Sequence, residues 1–137
     1  MFTRYLGQII ELMGSRTTTT RDLETMGYQL MPGFFRGVFA ATQQPEIDGF
    51  VIVNTMDRPP GEHWLGLYRA HGESVLYDSF GRAAGEGSLE HFPGFATTES
   101  DAEQPVSRHP DLQFCGQACL AFGLVCKHAG MAAAKFI

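Results

Sequence analysis

Between residues 50 and 80 the chain carries three short segments rich in β-branched and aromatic residues: FVIVN (50–54), HWLGLYR (63–69) and SVLYDSF (74–80). The first is apolar at nearly every position, as in a strand covered on both faces. The other two flank AHGE, a connection of hairpin length, so they are expected to pair in antiparallel fashion. Such a sheet must be covered, and residues 115 to about 129, beginning CGQACLAFG, read as an apolar helix that packs on it. The expected fold class is α+β, with helices at both ends and a small central mixed sheet.

The flanking segments fit that frame. Phe2, Leu6, Ile9, Ile10 and Met13 recur at helical spacing, giving an amphipathic first helix stopped by Gly14. Thr20, followed by Asp22 and Glu24, marks the entry of a second, short helix that Gly27 closes. Residues 28–49 are aromatic and glycine-rich and read as irregular, with turns at Pro32–Gly33 and near Pro45–Gly49. The polar stretch TTESDAEQ (97–104) separates the sheet from the last unit, and 105–111 form a short strand or loop.

A length of 137 residues with 44 % hydrophobic content fits one domain, 1–137, able to bury a single core. No apolar run reaches the roughly 18 residues a membrane span requires, and the first segment carries Gln8 and Glu11 where a signal peptide would be apolar. Cys115, Cys119 and Cys126 form an odd, tightly clustered set, a poor disulfide framework and a poor zinc site. A reducing, intracellular setting is expected, with no metal. A net charge of −5 offers nothing to attract nucleic acid or an anionic membrane.

Chemistry concentrates in three positions. Cys115 stands at the entrance of the last helix, where the helix end favours a thiolate, and Gly116 allows a tight turn that exposes amides to an oxyanion. Taken alone, Cys115 reads equally as a small buried apolar residue, and Cys119 and Cys126 fall on the apolar helix face with Leu120, Phe122 and Val125. Among the five histidines, His63 begins a strand and is therefore the most rigidly mounted candidate base; His71 lies in the hairpin turn, His91 beside FPGF, and His128 near the helix end. Asp78, on the adjoining strand, comes to the same edge of the sheet as His63 if the hairpin forms. There it could accept the imidazole Nδ1 proton and fix the tautomer, or simply cap the turn at DSFGR.

Together these segments resemble the adenovirus endopeptidase (adenain) family and, more distantly, the Ulp-type SUMO and ubiquitin-like proteases of the same fold. The resemblance rests on IVNTMDRPPGEHWLGLY (52–68), VLYDSFGR (75–82) and FCGQACLAF (114–122), in the order His, Asp, Cys. It extends upstream to LETMG (23–27) and FFRGVFAATQQPEIDGF (34–50), covering roughly residues 8 to 126. It implies an adenain-like cysteine protease fold with the nucleophile at the N-terminus of a packed helix. It further implies Cys115 as nucleophile, His63 as general base, Asp78 as its orienting acid, and Trp64 and Gly116 beside the substrate cleft.

One feature departs from the family, which has a glutamine six or seven residues before the cysteine to donate to the oxyanion; this chain has His109 and Arg108 there. Ungapped, Arg108 takes the glutamine's place, and its guanidinium can also donate; Gln113 and Gln104 are the nearby amides. The resemblance implies an endopeptidase that processes viral capsid and core precursors at glycine-containing sites, in the host nucleus and the virion. Some members need an activating peptide and DNA; a peptide suits so compact a chain, whereas an acidic chain suits DNA poorly. The alternatives are a Ulp-like isopeptidase acting on ubiquitin-like tails and a protease-fold binding or capsid-associated protein without activity.

Overall fold

The computed structural model describes residues 1–58, 61–79, 96–97 and 114–137, and their side chains except those of 55–58, 61–62 and 97. Helices α1 (Phe2–Met13) and α2 (Thr20–Leu30) precede strand β1 (Phe35–Ala40), a short 3₁₀ turn (Ala41–Gln43), and strands β2 (Gly49–Arg58), β3 (Gly61–Ala70), β4 (Glu73–Tyr77) and β5 (Ala96–Thr97); helix α3 (Cys115–Ala134) follows. The fold is mixed α+β.

The five strands form one sheet in the order β1-β2-β3-β4-β5. β1 runs parallel to β2 and β4 to β5, whereas β2–β3 and β3–β4 are antiparallel. The β3–β4 hairpin turns at His71 and Gly72, with φ of 52° and 77°, the paired positive values that a tight hairpin with right-handed strand twist requires. β2 is buried on both faces, as its composition dictates: Phe50 and Ile52 join the core beneath α3, and Val51 and Val53 join Leu65, Leu67 and Leu76 on the opposite face.

Helix α3 lies close to the sheet because glycine stands at the crossing. A Cβ at Gly123 would overlap the Phe50 ring, and one at Gly66 would stand 2.9 Å from Phe122 Cδ2. Phe122 stacks on Tyr77 at a centroid distance of 5.1 Å and meets Phe50 at 5.9 Å. α1 packs on α3, and α2 packs on β1 and α3. Among the described residues no helix is long and apolar enough to cross a membrane.

Several expectations need correction. The cap of α2 is Thr19, not Thr20: Thr19 Oγ1 accepts from the Asp22 N–H at 3.1 Å, and Asp22 Oδ2 accepts from the Thr19 N–H at 3.0 Å. In a run of four threonines the choice rests on which one places an acid three residues on. Gly27 does not end α2; the helix continues to Leu30, and Gly27 is where the Phe35 ring presses on it, leaving no room for a Cβ. Residues 28–49 are more regular than expected, since they hold the end of α2, β1 and the 3₁₀ turn. α3 reaches Ala134 only as two helical stretches joined at Gly130 (φ 82°), so the expected end near 129 coincides with the break. β4 stops at Tyr77, so Asp78 follows the strand.

Candidate active site

His63 sits near the start of β3, paired across the sheet with Thr55 of β2. Antiparallel pairing of β3 and β4 brings Gly66 opposite Tyr77, and Asp78 leaves the strand immediately after. The two side chains meet through His63 Nε2 and Asp78 Oδ1 at 2.7 Å, with 4 % and 2 % of each residue exposed. The sequence expectation placed the carboxylate on Nδ1. The register explains the difference: continued past Tyr77 it would set Asp78 across from Leu65, not His63, so the ring reaches it with its distal nitrogen. Either pairing fixes one tautomer, and this one leaves Nδ1 for the thiol.

That thiol belongs to Cys115, the first residue of α3, 7 % exposed and hydrogen-bonded with His63. Thus β3, the end of β4 and the start of α3 each contribute one member of a Cys–His–Asp set. Burial alone pushes the His63 pKa down, because an imidazolium loses hydration. The hydrogen bonds to Asp78 and Cys115, with the negative charge of each, outweigh that and raise it to about 9. His63 is therefore a cation at neutral pH, held between the Asp78 carboxylate and the Cys115 thiol. Cys119 and Cys126 behave oppositely, since burial pushes both thiols up and keeps them protonated.

The start of α3 is itself suited to an anion. Its N-cap, Phe114, supplies no side-chain acceptor, and the first turn closes with the Ala118 N–H donating to the Phe114 carbonyl at 2.8 Å. The amides of Cys115, Gly116 and Gln117 fall among those that helix geometry leaves without intrahelical partners, at the positive end of the macrodipole. Arg108 and Gln113, expected as oxyanion donors, lie outside the described residues, as do His91, Gln104 and His109. His71 is exposed in the hairpin turn, and His128 is exposed beside Tyr5.

The chain matches no family model, no curated protein and no solved structure. The site therefore stands on its geometry. Among the described residues no group of His, Cys, Asp and Glu could hold a metal ion, and all three cysteines are free thiols.

Trp64 and Gly116, expected at the substrate cleft, are buried against Thr18. Trp64 is 1 % exposed and donates from its indole nitrogen to the Thr18 carbonyl at 3.3 Å. Gly116 is buried against the same threonine, and a Cβ there would overlap the Thr18 hydroxyl and lie 2.9 Å from Leu23 Cδ2. The sequence reading missed Gln117, which is fully buried and donates both amide hydrogens, to the Gly14 carbonyl at 2.7 Å and the Arg16 carbonyl at 2.8 Å. Its signal was present: an amide side chain two residues after Cys115, inside an otherwise apolar run.

Among the described residues the buried polar atoms without a hydrogen-bond partner are Thr18 Oγ1, Asn54 Oδ1, Ser79 Oγ and Gln117 Oε1. Ser79 follows Asp78 directly, and the others lie one residue further off: Thr18 touches Gly116, Asn54 pairs with Trp64, and Gln117 follows Gly116.

Proposed function

We propose that this protein is a cysteine endopeptidase of the adenain kind. The observation that carries the reading is a buried His63 bonded on one side to Asp78 and on the other to Cys115 at a helix N-terminus. An imidazolium beside a thiol stabilises the thiolate, the nucleophilic form, and a carboxylate on the far ring nitrogen stabilises the imidazolium.

In the proposed reaction the Cys115 thiolate attacks the scissile carbonyl carbon, forming a C–S bond and a tetrahedral oxyanion. The Cys115 backbone N–H is one donor available to that oxyanion. As the C–N bond breaks, His63 gives its proton to the departing amine, leaving a thioester. His63, now neutral, takes a proton from water as the water attacks the thioester, and collapse releases the acid and restores the ion pair. Asp78 holds the ring and its charge throughout.

The substrate class comes from the resemblance: precursor polypeptides cut at glycine-containing junctions. The test is hydrolysis of a fluorogenic peptide with glycine at the scissile bond, alongside a ubiquitin-tail reporter. Turnover of the peptide, abolished in Cys115→Ala, is expected. Faster cleavage of the ubiquitin tail would transfer the protein to the isopeptidase reading, and turnover that survives Cys115→Ala would sink the thiol mechanism.

A further inference from the structure

The segment Gly14–Thr18, between α1 and α2, is hydrogen-bonded to a near neighbour of each member of the proposed catalytic pair. At one end Gln117, two residues beyond Cys115, donates to the Gly14 and Arg16 carbonyls. At the other, Trp64, the residue after His63, donates to the Thr18 carbonyl. Between them Thr18 fills the space over Gly116 that a side chain would need. Nucleophile and base come from α3 and β3, separated by more than forty residues of chain, and this short linker is bonded to both.

We propose that Gly14–Thr18 is a strut that sets the separation of Cys115 and His63, and that Gln117 is its positioning residue at the nucleophile end. This rests on the peptidase reading above. Two features of Gln117 favour positioning over plain stability. Among the described residues no side chain caps α3, whose N-cap is Phe114, so the turn bearing Cys115 is not fixed by the usual device of a capping side chain at that position. Gln117 also leaves its own Oε1 buried and unpaired, a cost that an apolar side chain of similar length would avoid. With both hydrogens committed to neighbouring carbonyls of one loop, the amide fixes that turn in two directions.

The strut makes a specific kinetic claim. Gln117 is uncharged and gives both its amide hydrogens to Gly14 and Arg16, so its loss should displace the thiolate without altering the charge on the base. In Gln117→Met, kcat on the glycine peptide should fall about tenfold to a hundredfold, the cost of roughly ångström-scale misplacement. KM and the midpoint of the alkaline limb should stay as in wild type. Should Gln117→Met fail to fold, insertion of two glycines between Ser15 and Arg16 carries the same test with Gln117 intact, and the same loss of kcat is expected. A wild-type kcat in the folded variant, or a loss confined to KM, overturns the strut while leaving the peptidase reading in place. A wild-type protein that does not turn over the peptide overturns the peptidase reading, and the strut with it.

Discussion

At the residue scale the site is governed by opposed effects on His63. Burial favours the neutral ring, but a carboxylate at 2.7 Å and a thiol on the other side favour the cation, and together they win. Activity that depends on the imidazolium should therefore decline on the alkaline side with a midpoint near pH 9. Asp78→Asn removes one anion and its charge-assisted bond, so that limb should move to lower pH, with kcat reduced by about a hundredfold or more. A pH–rate profile of the two proteins checks both; an unmoved limb would mean that Asp78 does not hold the charge. The three thiols should also separate under native labelling with iodoacetamide and peptide mapping. Cys115 should react, and Cys119 and Cys126 only after unfolding, since both are buried and held protonated. Gly116→Ala would drive a methyl into the Thr18 hydroxyl, with an expected loss of about 1 to 3 kcal/mol in denaturant unfolding.

At the scale of elements, α2 offers a check on the packing account through its capping box of Thr19 and Asp22. Thr19→Ala should lower stability by about 1 kcal/mol, with Thr20→Ala near neutral; the reverse order in urea titrations would place the cap where the sequence first suggested. Strands β2, β3 and β4 were legible because their signals are local: a β-branched run, and a connection too short for anything but a hairpin. β1 was not, since FFRGVFA mixes aromatics with glycine and becomes a strand only by pairing with β2 and packing under α2. Gly27 misled for the same reason, as a glycine required by a tertiary contact with Phe35 looks like one required to end a helix. His63, Asp78 and Cys115 were legible through type and order, whereas the ring nitrogen depended on the β3–β4 register. Trp64 and Gly116 sit next to the reacting residues in sequence yet face inward, toward Thr18, a partner no local pattern points to.

At the scale of the whole molecule, the protonation that the proposed catalysis requires is tied to stability. His63 has a folded-state pKa of about 9 against an ordinary value near 6.5, so the folded chain holds a proton that the unfolded chain releases between those values. Its contribution to stability is complete below pH 6.5 and is lost as pH rises through 9. Because a thiolate at Cys115 surrenders the proton that His63 gains, the effect is read in Cys115→Ala, where urea unfolding should show stability declining as pH rises above 6.5, more steeply than in the Cys115→Ala/Asp78→Asn double variant. A flat dependence would show that His63 gains no proton on folding. The sheet end, the helix start and the linker that bonds to both meet at one buried point, and the central claim is that this point makes the Cys115 thiol a nucleophile. The most direct test is the alkylation rate of Cys115 as a function of pH in the wild type and in His63→Ala. The account predicts that at pH 6 to 7 wild-type Cys115 reacts at least about tenfold faster than in the variant, because the imidazolium no longer stabilises the thiolate. Superimposable profiles for the two proteins would contradict it.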